Sequence, residues 1–202
     1  MRTVSFITAN YVGRALGYKG PADWGLNDQA TIKSMSGQTF GAMCADIAAA
    51  SFEAIDIWVS HCHWQHHSAG DYLEVVKGIC SQYDFSITSY AGGLNGADLP
   101  GIERQLRFMK QLGAPMFAGG CWGGTTAEVV PFVNDLCGKL GVKWAHENHP
   151  EKSADEILAR IDGGRHPNVG VALDTGWCGS QGSAAAFQNW NTARTSSDSA
   201  SD

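Results

Sequence analysis

Short apolar, β-branched runs recur along the chain, and each gives way to a Gly- or Asn-containing loop and then to a stretch with apolar residues at helical spacing. Six such runs predict strands over residues 3–10, 54–60, 85–91, 115–119, 142–147 and 169–174. The stretches between them predict helices over 40–51, 72–82, 102–112, 126–140 and 154–161. Strand and helix in strict alternation are the mark of repeated βα units, so the expected fold is α/β with parallel strands, of the barrel type.

Local punctuation supports these limits. Gly113 with Pro115, and Gly141 after Leu140, stand where helices should stop, because Gly accepts the left-handed cap and Pro cannot continue a helix. Ser153 with Glu156 makes a capping-box pattern at the start of the fifth helix. Residues 11–38 read as a long Gly-rich, polar insertion after the first strand, either a substrate-covering loop or a passive one. Glycine totals 25, and doublets at 92–93, 119–120 and 123–124 fall just after strands. The run GGCWGG offers backbone N–H groups to a phosphate or forms a plain βα turn; it lacks the spacing and following Lys of a P-loop.

With 202 residues, 44% hydrophobic and 10% aromatic, the chain is long enough to bury one sizeable core. A formal charge of -6 and a sequence pI near 5.6, without a Lys/Arg cluster, argue against a nucleic-acid footprint. The first apolar stretch is too short for a signal-peptide core, and no run reaches the ~20 apolar residues of a membrane span. The expected setting is cytoplasmic and away from membranes. Six cysteines, with no CxxC pair, are expected to be reduced and mostly buried.

The chemistry concentrates in the fifth and sixth strands. In KWAHEN, Lys143, Ala145 and Glu147 share one side while Trp144 and His146 take the other; in VGVALD, Gly170, Ala172 and Asp174 share one side. One helix separates these strands, so they are expected to be parallel neighbours with Glu147 and Asp174 converging at the C-terminal end, where a divalent ion would relieve their repulsion. Alternatively each acid caps a helix or accepts loop N–H groups. Further polar candidates for the same mouth are Asn10, His61 and His63 in HCHWQHH, Tyr90, Asn148, His149 and Trp177. Trp24, in the long first loop, packs or closes over a sugar face.

The succession FITANYVGRALGY, FEAIDIWVSH, SYAGG, GAPMFAGG, ENHPEK and VALDTGW resembles the xylose-isomerase-like TIM barrels, which include sugar phosphate isomerases and epimerases. The resemblance runs from about Thr3 to Gln181. It implies a divalent metal (Mn, Mg, Zn or Co) held by a Glu, an Asp, a His and a second Glu on strands five to eight, of which Glu147 and Asp174 match the first two. It further implies that Glu147 works as an acid/base on a sugar or keto-sugar substrate, moving a proton next to a carbonyl. Asn10, His61, His63, His149 and Trp177 are the substrate-binding candidates. Where relatives carry DTGH, this chain has DTGW, with Trp177 in place of the His.

Only 28 residues run from Asp174 to the end, against roughly 60 for two more βα units at ~30 each. The expectation is an incomplete barrel domain over 1–188, with about six of eight units and no strand for the third and fourth ligands, then a disordered polar tail over 189–202. A C-terminally truncated barrel, a barrel completed by another subunit through exposed sheet edges, and a diverged half-site all follow from that shape. Beside the isomerase or epimerase stand two other functions: a multi-zinc phosphoesterase like the apurinic endonucleases, drawing on His61, His63 and His149, and a non-enzymatic fragment acting as a binding partner.

Overall fold

Element boundaries in the computed structural model follow the predicted punctuation over most of the chain, which is described for residues 4–19, 23–67, 70–149 and 151–180. β1 (Phe6–Ile7) leads into a 3-10 helix (Thr8–Leu16), then α1 (Trp24–Ser34) and α2 (Gly37–Ala49). β2 (Ala54–Trp58) is followed by a 3-10 turn (Val59–His61) and α3 (Tyr72–Gln82), and β3 (Ser86–Ala91) by β4 (Leu94–Asn95) and α4 (Leu99–Leu112). β5 (Met116–Ala118) and β6 (Cys121–Trp122) precede α5 (Thr126–Leu140); β7 (Lys143–Glu147) precedes α6 (Ala154–Arg160); β8 (Val169–Ala172) precedes α7 (Thr175–Ser180). The fold is therefore α/β, with parallel strands alternating with helices.

The start of the chain corrects the expectation. The first strand has two residues because the chain turns at Thr8, whose buried Oγ1 accepts from the Trp58 N–H at 2.8 Å and so takes over where a strand ladder would continue. The described residues of 11–38 are largely helical rather than loop. Asp23 caps α1 by accepting from Leu26 N at 3.0 Å, and Thr31, its one buried residue, ties the helix to the Val12 carbonyl at 2.8 Å. Trp24 thus opens a helix. α2 begins at Gly37, earlier than its apolar spacing implies, because Ser36 and Thr39 form a reciprocal capping box. Later signals are realised as read: Gly141 ends α5 at φ 66°, and the Ser153 side chain accepts from Glu156 N. The stretch 189–202 and a predicted helix start near residue 183 lie outside the described residues.

The chain divides into two compact units. The first holds the described residues up to Gly92 together with Glu103–Phe117. Its strands run in the order β1-β2-β3-β5, with β1, β2 and β3 parallel. A β-bulge shifts the register between Ile55↔Ile87 and Asp56↔Ser89. Consecutive side chains of a regular strand point to opposite faces; the bulge instead lets both Thr88 and Ser89 reach Asp56 Oδ1, at 2.6 and 2.7 Å. Ser5 donates to the other carboxylate oxygen. Phe40, Met43 and Ile47 of α2, Ile55 and Ile57 of β2, and Tyr90 and Phe117 fill the core of this unit.

The second unit holds Gly93–Ile102 and the described residues from Ala118 onward. β7 and β8 pair in parallel, Ala145 opposite Gly170 and Glu147 opposite Ala172. β4 and β6 form a separate parallel pair that apolar patterning gives no sign of, since backbone alone carries it: Leu94 N donates to Gly120 O and Gly96 N to Trp122 O. The strands approach so closely that a Cβ on Gly124, itself at φ 70°, would lie 2.5 Å from Gly96 O. Trp144 of β7 is buried and donates its indole N–H to Gly119 O at 3.0 Å. The five cysteines whose side chains are described are buried free thiols. Among the described residues no helix is long and apolar enough to cross a membrane.

Candidate active site

Glu147 is the last residue of β7, and its strand partner Ala172 stands two residues before Asp174, so the two acids share a side by strand parity. Beyond the ladder, Asn148 continues the pairing with its side chain. Its Oδ1 accepts from Asp174 N at 2.6 Å, its Nδ2 donates to Asp174 O at 3.1 Å, and its own N–H reaches Ala172 O at 3.3 Å. Asn148 is 3% exposed, so this amide is a buried peptide mimic that fixes where Asp174 sits.

The Asp174 carboxylate is held in turn. Its Oδ1 accepts from Gly176 N at 2.7 Å and Trp177 N at 3.2 Å, which caps α7. Asp174 also stands close enough to Glu147 for its negative charge to act on the Glu147 carboxyl. Burial, then the Asp174 charge, pushes the Glu147 carboxyl above its ordinary value, while His149 pulls it down. Asp174 is thus a cap, as one reading of the acids expects, and its charge also acts on Glu147.

The His149 ring packs against Trp177, 3.9 Å between centroids at 77°, and meets Trp122 edge-on at 6.1 Å. Its backbone N–H donates to Glu151 Oε2 at 2.6 Å. Trp177 therefore stands beside His149, within the neighbourhood of the acid pair. Among the described residues no group of three or more His, Cys, Asp or Glu side chains is arranged to hold a metal ion. The donors that the second unit brings together are Glu147 and Asp174, with His149 beside them.

The other candidates belong to the first unit. His61 is 1% exposed, its Nδ1 lies 3.2 Å from Thr8 Oγ1, and burial lowers its pKa to about 4, so it is neutral at pH 7. It forms part of the wall of a cavity of about 210 Å³ that also touches Tyr11, Arg14 and Met43. His63 accepts from Gln65 N through Nδ1, donates its backbone N–H to His67 Nδ1 at 2.7 Å, and lies 4.9 Å from His66; burial and these two rings lower it to about 4. Tyr90 is buried and donates to Cys62 O at 2.9 Å. Asn10 is exposed, donates to Ile7 O, and lines a cavity of about 310 Å³ with Tyr18, Asp23, Trp24 and Asn27.

Two further residues had a readable signal. Asp56, in the middle of the apolar run AIDIW, was marked by being an acid where an aliphatic belongs. His146 alternates with Trp144 on the outer face of β7 and is 2% exposed, with an Nδ1 that finds no partner among the described residues.

Residues 44–196 match the profile of the family described as xylose isomerase-like TIM barrel. Three solved structures are similar at 13–16% identity, a likeness of fold. The probable 3-DHS dehydratase AsbF of Bacillus anthracis, involved in petrobactin synthesis, is 16% identical with a TM-score of 0.55 over 95% of this chain and 70% of that one. A xylose isomerase domain protein from Alicyclobacillus acidocaldarius is 13% identical, TM-score 0.50, over 67% of this chain and 58% of that one. One from Planctomyces limnophilus is 16% identical, TM-score 0.48, over 62% and 55%. The chain thus spans between 55% and 70% of these structures. No curated protein matches the sequence.

Proposed function

The chain belongs to the xylose isomerase-like TIM barrel family, and from that premise we infer that it carries part of a sugar or sugar phosphate isomerase or epimerase site, with Glu147 and Asp174 as ligands of a divalent ion. The observation that carries this reading is the placing of Glu147 and Asp174 at adjacent parallel strand ends, where the Asp174 charge pushes the Glu147 carboxyl up. Two carboxyl groups driven together at the cost of a raised pKa fit a cation as their natural third party. Oxygen donors of this type suit Mg, Mn, Zn or Co. An ion held there supplies Lewis-acid polarisation of a substrate carbonyl or hydroxyl oxygen.

The chain's own residues do the rest. Glu147, as its carboxylate, takes a proton from the carbon next to the carbonyl and returns it to the former carbonyl carbon, while the proton of the adjacent hydroxyl passes to the former carbonyl oxygen. Asp174 is oriented by the Gly176 and Trp177 N–H groups, which donate to its Oδ1. Asn148 sets the spacing of the two acids through the Asp174 backbone. His149 and Trp177 form an aromatic edge beside the pair, suited to the apolar face of a sugar. The test is metal analysis and calorimetric titration of the purified chain with Glu147→Gln and Asp174→Asn alongside, together with solvent deuterium uptake by keto sugars. Loss of metal in both variants and of deuterium uptake in Glu147→Gln is expected; equal metal content in all three proteins would sink the reading.

A further inference from the structure

His146 and Glu147 are consecutive in β7 and so lie on opposite faces of it. On the His146 side the second unit holds a small cavity of about 60 Å³, whose wall includes Gly124, Thr125, Thr126, Trp144, His146 and Arg160. Three features of that wall favour a negatively charged occupant. Gly123 and Gly124 are left-handed, at φ 74° and 70°, and lead into Thr125, the N-cap of the 15-residue α5, whose first-turn N–H groups and dipole favour an anion. The Arg160 guanidinium donates to Cys121 O at 3.0 Å and pairs with Glu151 at 3.2 Å, and its remaining N–H groups are further donors. His146 is almost fully buried, yet its Nδ1 makes no hydrogen bond. A buried polar atom without a partner destabilises the fold, a cost that an occupant bonding to it would relieve.

Size narrows the class. A single water needs about 10–15 Å³ measured this way, so the cavity takes a few waters or one tetrahedral oxyanion, and excludes a sugar ring. We propose that it is an oxyanion site that takes a phosphate-type group between the first turn of α5, Arg160 and His146. Acidic neighbours tune it: Glu151 holds Arg160, and Glu128 accepts from Thr125 Oγ1 at 2.9 Å. These two carboxylates partly offset the cationic wall.

The site uses neither Glu147 nor Asp174, so its fate is independent of the isomerase reading. The experiment is imidazole-detected NMR of His146 and calorimetry on the purified chain, titrated with inorganic phosphate, fructose 6-phosphate and fructose. Phosphate is expected to shift the His146 signals and to bind in the calorimeter. Arg160→Gln and His146→Phe should each weaken it about tenfold, the loss of one charge-assisted contact. Tighter binding of the ester than of inorganic phosphate assigns the site to a sugar phosphate, and the reverse to free phosphate. A His146 that does not respond to millimolar phosphate, or equal affinity in the wild type and Arg160→Gln, would overturn the proposal. Arg160 is 43% exposed, so its variant keeps the test decisive should His146→Phe fail to fold.

Discussion

Each unit carries an acid on a strand, and the two are treated in opposite ways. Asp56 of β2 is closed off: Ser5, Thr88 and Ser89 all donate to it, and a bulge is built into β3 to bring the last two together. Glu147 of β7 is left open, half-buried, with the Asp174 charge as its neighbour and a raised pKa. An acid surrounded by donors behaves as structure, whereas an acid surrounded by burial and negative charge lowers stability until something else binds. Histidines divide in the same way. His61 and His63 each find a partner for Nδ1, although they belong to the densest His run of the chain, while His146 has none among the described residues. Density of reactive residues in sequence is thus a poorer guide to an open site than the balance of donors and acceptors.

Breaking the closed acid should have the largest effect. Asp56→Ala leaves the Ser5 and Ser89 hydroxyls without their acceptor and Thr88 with only the Ile55 carbonyl, and is expected to cost about 2–4 kcal/mol in urea unfolding. A loss under ~0.5 kcal/mol would erase the contrast. Next comes Asn148→Ala, which removes two hydrogen bonds to the Asp174 backbone. It should cost about 2 kcal/mol and weaken divalent-ion affinity about tenfold or more, since it frees one ligand from its support.

Acid should separate the units by a smaller amount. The folded-state pKa values of His61, His63 and His146 are lowered to about 4 from 6.5, so the unfolded chain binds protons first. Stability from these groups is full above pH 6.5 and is lost as pH falls towards 4. Two of the three lie in the first unit, so amide exchange there should accelerate more over this window than in the second. Equal acceleration would show that burial of these rings does not set the acid response.

The smallest effect carries the opposite sign. Because the Glu147 pKa is raised, the folded state holds its proton longer than the unfolded one, and stability falls as pH rises from about 4.5 through the raised value. Glu147→Gln should therefore stabilise the metal-free chain slightly at pH 7 and flatten this dependence. The gain stays under ~1 kcal/mol because solvent screens a half-open side chain. A destabilised Glu147→Gln would place Glu147 with Asp56 among the closed acids.

Much of this contrast was legible before any coordinates. Period-two alternation in KWAHEN and VGVALD put Glu147 and Asp174 on one side, and Gly141 and Ser153 marked helix ends through backbone chemistry that acts locally. α1 escaped notice for a physical reason: only Thr31 of its residues is buried, so it has no apolar stripe for periodicity to detect, and its one clear signal was the Asp23 cap. β4 and β6 escaped because backbone hydrogen bonds hold them, with glycines at their edges. The roles of Asn148 and Asp56 depend on partners 26 to 51 residues away and on a bulge, which no local pattern encodes.

The most direct test of the account is the titration of Glu147 itself, followed by carbon-detected NMR of the glutamate carboxyl with and without magnesium or zinc. The account predicts a pKa above the ordinary carboxylate value in the metal-free chain and a marked fall when the divalent ion is added. A Glu147 that titrates at its ordinary value, indifferent to the ion and to Asp174→Asn, would contradict it.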